Sequence, residues 1–309
     1  WNVTVVPTET AVLLPNEMTE VTVTVAISDG LAVGLSNTVE ISATSNVDAA
    51  VSDSVTDITT VAADYRFELE PDNMATALSG SQISYNHTLT NTGNTTDSFT
   101  LTVDSSPSWP VMVDPPTVTL TAGSTANVLV TVTVPANTGG EQHIATVTAE
   151  NSTSITETAV NTTTVQIDLG VEIAPSNSDV VAAGTVLTYD HVVTNTGNIT
   201  DTYDVTVSSS EGWQSNTLPT TLTLGPGSTD TLTVEISVPG GAGPGEEDVT
   251  TVTVTSQADA AVTDTVTDTT RTEQNHALSF TPLFTSTAEA ATTVAYTHTL
   301  SNSGNGTDR

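Results

Sequence analysis

The sequence contains no cysteine and no lysine, and these two absences exclude several functions. Without cysteine, the chain can form neither disulfides nor thiolate metal sites. Three arginines stand against 36 Asp and Glu residues, and the formal net charge is −33. Because nucleic acids and anionic membrane surfaces are themselves negatively charged, neither is expected to bind so acidic a chain.

Long apolar runs and aromatic residues are also scarce. No stretch of 18 apolar residues occurs, so we expect no insertion into a membrane within this segment. No secretory leader is seen, and for an exported protein we expect the targeting and anchoring segments to lie outside these residues. Aromatic residues make up 4% of the chain, which disfavours a carbohydrate-binding array built on rows of exposed rings.

The abundant residues indicate β-structure. Serine and threonine together supply 95 of the 309 residues, and valine is frequent. Glycine and proline separate short segments in which apolar and polar residues alternate with a period of two. This alternation favours strands with one buried face over a disordered Ser/Thr-rich stalk.

Several landmarks recur along the chain and define an internal repeat. A four-residue turn motif occurs as Asn91-Thr-Gly93-Asn94, Asn195-Thr-Gly197-Asn198 and Asn302-Ser-Gly304-Asn305. Tryptophan and a Tyr-x-His pattern recur at similar spacing, as Trp1, Trp109 and Trp213 and as Tyr85–His87, Tyr189–His191 and Tyr296–His298. A repeat of about 105 residues is long enough to enclose its own core.

The landmarks divide the chain into four parts. Residues 64–167 and 168–273 are complete repeats, residues 1–63 are the back part of one, and residues 274–309 are the front part of another. Residues 164–168 join the complete repeats without Gly or Pro, which favours a stiff connection. The partial repeats are complementary, so we expect either a longer array or completion of one molecule by the next.

Each complete repeat shows about seven short strands at roughly ten-residue spacing, which is typical of a β-sandwich. Tyr85, His87 and Leu89 share one strand face, and polar residues occupy the other face. We expect this apolar face and the recurrent tryptophans in the core. Gly123 and Gly225 open turns and are expected to supply a positive φ. The sequence therefore predicts an all-β chain of tandem immunoglobulin-like (Ig-like) β-sandwich domains.

A longer pattern links these landmarks over residues 91–135 and 195–239, with fragments at 1–25 and 302–308. The order is Asn-Thr-Gly-Asn, an Asp with an aromatic strand, Trp, Gly-Ser-Thr, and a valine-rich strand that ends in Val-Pro. It resembles an Ig-like module of bacteria and archaea that accompanies a carbohydrate-binding module in alpha-galactosidases. The resemblance implies an Ig-like fold and a spacer role. The family pattern contains no catalytic residues, so none are transferred to this chain.

The recurrent histidine at positions 87, 191 and 298 could belong to a catalytic or metal site. Such a site needs converging partners, and no second His, Cys or acidic residue recurs beside it. We therefore expect a core histidine bonded to the backbone, and neither a catalytic residue nor a metal ligand.

A row of aspartates leaves two interpretations open. Asp53 and Asp57 recur as Asp264 and Asp268. Residues four apart on a strand share a face and lie about 13 Å apart at roughly 3.3 Å per residue. Calcium ligands lie about 2.3–2.6 Å from the ion, so a neighbouring strand would have to add ligands. A solvated, aggregation-resistant strand edge is the favoured interpretation, and calcium is the alternative.

N-glycosylation sequons are frequent, and three of them coincide with the recurrent turn. A turn tip offers room for a glycan, although asparagine also suits turn geometry by itself. The candidate acceptors are Asn94, Asn198, Asn305, Asn2, Asn86, Asn151 and Asn161.

Phosphate-binding loops, nucleophile elbows and basic patches are not found in the sequence. We therefore expect no enzyme activity and no cofactor other than the calcium discussed above. We predict a structural protein that is extracellular, either at the cell surface or secreted. Its repeats would form a stalk, adhesin shaft or surface filament by head-to-tail stacking with copies of itself. The alternative is a non-catalytic spacer region of a large secreted glycosidase or peptidase.

Overall fold

A computed structural model describes residues 1–309. It contains 24 β-strands and no helix, so the predicted all-β class of tandem Ig-like sandwiches is confirmed. Accordingly, no helix is available that could cross a membrane. The chain divides into two compact units, residues 1–135 with 141–165 and residues 136–140 with 166–309.

The first unit begins with two small antiparallel sheets. One pairs β1 (Asn2–Val6) with β2 (Thr22–Ala26), and the other pairs β3 (Ser36–Thr44) with β4 (Ser52–Thr60). Their alternating side chains are mostly exposed, because no second sheet covers them within this segment.

The first complete sandwich follows, with nine strands between residues 67 and 165. They are β5 (Phe67–Glu70), β6 (Asn73–Ala77), β7 (Gln82–Asn91), β8 (Asp97–Ser106), β9 (Val111–Asp114), β10 (Thr117–Leu120), β11 (Thr125–Thr133), β12 (Gln142–Asn151) and β13 (Thr156–Val165). One sheet has the order β10-β8-β12-β13-β6 and the other has the order β5-β7-β11-β9. All pairs are antiparallel except β6 and β13, which run parallel.

The second unit contains the second complete sandwich, which has the same topology. Its strands are β14 (Val171–Ala174), β15 (Asn177–Val181), β16 (Val186–Asn195), β17 (Asp201–Ser209), β18 (Gln214–Leu218), β19 (Thr221–Leu224), β20 (Thr229–Ser237), β21 (Glu247–Ser256) and β22 (Thr263–Thr272). The sheets have the orders β14-β16-β20-β18 and β15-β22-β21-β17-β19. A final pair, β23 (Leu278–Thr281) and β24 (Thr299–Asn302), repeats the pairing of β5 with β7.

Nine strands per repeat, and not the expected seven, result from prolines at two places. Pro71 separates β5 from β6, and Pro115 separates β9 from β10. Proline has no N–H for a sheet ladder, and at both positions the chain crosses from one sheet to the other. Pro175 and Pro219 mark the same crossings in the second sandwich.

Each sandwich has its own core, built from the apolar face of every strand. The first is centred on Phe67, Leu89, Phe99, Trp109 and Val130. The second is centred on Ile173, Tyr203, Trp213, Val234 and Val254. The expected burial is thereby confirmed for Trp109 and Trp213, whereas Trp1 is only partly buried.

A positive φ was expected at Gly123 and Gly225, and only Gly123 has one. Gly123 has a φ of +74°, and its N–H donates to the carbonyl of Asn91 at 2.9 Å. In the second sandwich the positive φ, +68°, belongs to Gly227, whose N–H donates to the carbonyl of Asn195 at 2.9 Å. The expectation for Gly225 was wrong, because the turn closes two residues later, beyond Pro226.

Candidate functional site

The recurrent tyrosine and histidine lie on one strand of each sandwich and face the core. Strand β7 carries Tyr85 and His87, and β16 carries Tyr189 and His191. The histidines are 1% and 0% exposed. Each tyrosine hydroxyl bonds a threonine hydroxyl, with Oη–Oγ1 distances of 2.7 Å and 3.0 Å. The prediction that these residues are buried and bonded to protein groups is confirmed.

In the first sandwich His87 has one backbone partner and one side-chain partner. Its Nδ1 lies 2.8 Å from the carbonyl oxygen of Pro71, and its Nε2 lies 3.0 Å from Nδ2 of Asn161. An amide nitrogen can only donate, so Nε2 accepts, and the ring proton is on Nδ1, which donates to the carbonyl. The amide of Asn161 is oriented by Asn73, whose Nδ2 donates to its Oδ1 at 3.2 Å. His87 is therefore a neutral imidazole.

In the second sandwich Asp268 takes the place of that asparagine. His191 Nδ1 lies 2.8 Å from the carbonyl oxygen of Pro175, and Nε2 lies 2.9 Å from Oδ2 of Asp268. With Asp268 ionised, both partners are acceptors, so both ring nitrogens donate and the ring is an imidazolium. The backbone N–H and side-chain Nδ2 of Asn177 donate to the other carboxylate oxygen, both at 3.0 Å. The result is a fully buried ion pair.

These environments move the two histidine pKa values in opposite directions. Burial lowers the pKa of His87, and the hydrogen bond with the Pro71 carbonyl offsets only part of this effect. Burial also lowers the pKa of His191, but the hydrogen bond and attraction to Asp268, together with the Pro175 carbonyl, outweigh it. The pKa of His191 is therefore raised above its ordinary value of 6.5.

The third copy of the histidine, His298, keeps the hydrogen bond to a proline carbonyl. His298 Nδ1 lies 2.8 Å from the carbonyl oxygen of Pro282, a partner 16 residues upstream, as in both complete repeats. The ring lies against Phe280, with centroids 5.0 Å apart. Since the segment of residues 274–309 has no covering sheet, His298 is exposed.

A second polar position in the core was not singled out in the sequence. His143 stacks on Trp109, with ring centroids 4.5 Å apart, and its Nε2 lies 2.7 Å from Oγ of Ser105. The corresponding residue of the other sandwich is Asp248. Burial raises the pKa of this carboxyl, but its hydrogen bonds reverse the effect and leave the pKa below the ordinary value. The donors to Asp248 are Ser209, Thr250, the backbone of Glu211, and Ser210.

The aspartates proposed for calcium occupy different environments. Asp268 is bonded to His191, and Asp264 Oδ2 accepts a hydrogen bond from the backbone N–H of Ile173 at 2.9 Å. Asp53 and Asp57 are exposed on β4, as a solvated strand edge would have them. No group of three or more His, Asp or Glu side chains is placed to hold a metal ion. Calcium binding stays a prediction, and at Asp268 it would require the ion pair to break.

The sequon asparagines fall into an exposed and a buried set. Glycans attach through Nδ2, and this atom is already hydrogen-bonded in the three buried residues, Asn151, Asn161 and Asn198. Asn94 is partly buried, and Asn2, Asn86 and Asn305 are exposed. Glycosylation stays a prediction that suits Asn2 and Asn86 best, since these side chains are exposed, whereas Asn151, Asn161 and Asn198 are enclosed by the protein.

Comparisons with known proteins give structural neighbours only. No family model matches the chain, and no curated protein matches it either. Titin domains Z1Z2 in complex with telethonin are 16% identical, with 70% of this chain and 98% of that chain covered and a TM-score of 0.34. The CsuC–CsuE chaperone–adhesion subunit complex of Acinetobacter baumannii is 10% identical, with 68% and 100% covered and a TM-score of 0.26. The sialic acid binding region of a Streptococcus sanguinis adhesin is 11% identical, with 67% and 77% covered and a TM-score of 0.26.

Proposed function

We propose that this chain is a structural, non-catalytic segment of an extracellular or cell-surface protein. In this proposal its Ig-like repeats serve as a stalk, adhesin shaft or surface filament. The observation that carries it is that, in the two complete sandwiches, the recurrent Tyr and His side chains point inward and bond other protein groups. His87 and His191 are enclosed in the two cores, whereas a catalytic group has to reach a substrate at an accessible surface.

Two features of the sequence support the same proposal. A net charge of −33 keeps a surface soluble and resistant to nonspecific association. The resemblance to the Ig-like module of alpha-galactosidases also belongs to the proposal, because such modules serve as spacers beside other domains.

We further propose that copies of the chain stack head to tail through the partial repeats. Residues 274–309 present apolar side chains to solvent, among them Phe280 and Leu300, and residues 1–63 present Val55 and Ile58. Exposed apolar faces and unpaired strand edges favour pairing with another chain.

The histidine position suggests one specific contact in such a stack. On the last strand of the complete repeats, Asn161 or Asp268 bonds Nε2 of the histidine. Asp57 occupies the same repeat position on β4. We therefore expect Asp57 of one copy to meet His298 of the next.

Sedimentation velocity over a wide range of protein concentration tests the stacking. We expect oligomers that grow stepwise with concentration and are weakened by Asp57→Ala. Asp57→Asn should keep the association, because Asn161 fills this role in a complete repeat. Thr56→Ala is the control and should change nothing, because Thr56 lies on the opposite face of β4 and its counterpart in a complete repeat, Thr267, is exposed. A chain that stays monomeric at every concentration contradicts the stacking and leaves the structural role standing.

A further inference from the structure

The second asparagine of the recurrent turn contacts the backbone of the segment that precedes its own repeat. Asn198 Oδ1 accepts a hydrogen bond from the backbone N–H of Asp168 at 2.8 Å, and its Nδ2 donates to the carbonyl of Gln166 at 2.8 Å. The backbone N–H of Asn198 donates to the carbonyl of Asp168 at 2.9 Å. A single residue thus satisfies three polar groups of residues 166–168.

The same arrangement occurs at the other two copies of the turn. The partners always lie 30 and 32 residues before the asparagine, at distances between 2.7 and 3.0 Å. They are Asp64 and Ala62 for Asn94, and Asn275 and Glu273 for Asn305. Asn94 makes one more contact, since its Nδ2 also donates to the carbonyl of Leu31 at 3.1 Å. Because the same geometry recurs at all three copies of the turn, the contact is a regular feature of the repeat.

The glycine of the motif makes this contact sterically feasible. Gly197 does not have a positive φ, but a Cβ on it would lie 2.7 Å from the carbonyl oxygen of Asp168. A Cβ at Gly93 or Gly304 would come even closer to the equivalent carbonyl. Glycine is therefore needed because the preceding segment passes so close to the turn. The first asparagine shapes the turn, as Asn195 Oδ1 accepts from the N–H of Gly197 at 2.8 Å.

We propose that the second asparagine is a linker clamp, which fixes the segment before each repeat to the repeat that follows. The clamp stiffens residues 62–64, 166–168 and 273–275, and any bending between repeats has to occur before them. The clamp would serve the structural role proposed above by stiffening the chain between repeats. Its biological use rests on that proposed role, but the contacts themselves do not. The clamp also means that a glycan on Asn94 would remove one of the two hydrogen bonds that its Nδ2 donates, because the glycan replaces one of the two hydrogens on that atom.

The test measures amide hydrogen exchange and ¹⁵N relaxation in the full chain. Asn198→Ala removes both side-chain contacts, and the exchange of the Asp168 amide should accelerate about tenfold, the factor that corresponds to one hydrogen bond. The order parameters of residues 166–168 should fall below those of the core of the same repeat. Asn198→Asp keeps the acceptor and replaces the donor with an oxygen that faces the Gln166 carbonyl, so it should loosen residue 166 most. Asn216→Ala, an exposed asparagine in the same repeat, is the control and should leave all these values unchanged.

The proposal is overturned if Asn198→Ala folds and the exchange of Asp168 does not change. It is also overturned if exchange increases uniformly over the repeat, because Asn198 would then hold the domain and not the linker. If Asn198→Ala does not fold, Asn94→Ala with the amide of Asp64 as reporter decides the question at the other junction. None of these results depends on association, so failure of the clamp and failure of the stacking are distinguishable.

Discussion

Exchanging the partners of His87 and His191 should shift the pH responses of the two sandwiches in opposite directions. In the wild-type chain Asp268 keeps His191 protonated, whereas Asn161 keeps His87 neutral. Asp268→Asn should convert the second sandwich to the neutral arrangement, with the amide donating to Nε2. Asn161→Asp should create the ion pair in the first.

The sign of each response follows from the direction of the pKa shift. The folded pKa of His191 is raised, so its stabilising contribution is complete below about 6.5, the unfolded pKa, and is lost as the pH rises through the folded pKa. The folded pKa of His87 is lowered, so its contribution is complete above about 6.5 and is lost as the pH falls through the folded pKa. Between mildly acidic and mildly alkaline pH, the first sandwich should gain stability and the second should lose it.

The size of the effect can be bounded from the same contacts. Each pKa unit between the folded and unfolded states changes the free energy of unfolding by about 1.4 kcal/mol across this window. Asp268→Ala leaves a charged or unpaired imidazole in the core and should cost about 3–5 kcal/mol. Asp268→Asn retains a hydrogen bond, so we expect it to cost little at alkaline pH, where the ion pair is lost, and more than about 1 kcal/mol near pH 5, where the ion pair is complete.

The assay is amide hydrogen exchange of core strands, read separately in each sandwich of the whole chain and corrected for intrinsic rates. Reporter amides on β12 and β21 are buried in the two cores. Protonation of the many surface carboxylates acts on both sandwiches, and burial lowers the pKa of His143 in the first sandwich alone. The change that each substitution makes to the pH slope of its own sandwich therefore isolates His87 or His191. Asp264→Asn, four residues from Asp268 on the same strand, is the control. Equal pH slopes in the two sandwiches, or an unchanged slope in Asp268→Asn, would refute the reasoning.

Three further predictions concern the core, the turn and calcium. Trp109→Ala should destabilise the first sandwich by about 3–5 kcal/mol in urea denaturation, since the ring is buried, and unchanged melting would show that the ring adds nothing to the core. Gly197→Ala should lower the free energy of unfolding by about 1–3 kcal/mol, because the new Cβ meets the Asp168 carbonyl. Gly212→Ala is the control: nothing lies within 4 Å of its Cβ, so it should show only the effect of its positive φ. Calcium or a chelator should leave the melting of the second sandwich unchanged, because Asp268 is occupied by His191, and a clear rise in melting temperature with calcium would reopen the metal interpretation.

The two-residue period predicted the fold and the buried face of β7, because side chains alternate strictly across a sheet. The period could not predict which residue lies opposite the histidine. Its partners are 74 and 77 residues away, and they differ in type between the repeats. Asp268 was therefore grouped with its strand neighbours as a calcium candidate. The position shared by Asn161 and Asp268 was the available signal, because both can bond an imidazole nitrogen.

The turn motif, too, was only partly predictable from the sequence. Its recurrence was visible in the sequence, and asparagine and glycine were attributed to turn geometry. The structure assigns that role to the first asparagine only. The second asparagine and the glycine serve a segment 30 to 32 residues upstream, and no local pattern reveals such a contact. The prolines that split the strands were visible too, but the change of sheet at each depends on tertiary packing.

The parallel pairing of β6 with β13 has a mechanical consequence for each repeat. Strand β6 lies near the start of the repeat and β13 at its end, and five residue pairs join them from Asn73↔Asn161 to Ala77↔Val165. A force that pulls the two ends of the repeat apart acts along these strands in opposite directions. Because the strands are parallel, the force shears all of their hydrogen bonds together, whereas a hairpin pulled at its open end is unzipped one bond at a time. The strands that close the edge of the sheet are thus also the ones oriented to resist extension.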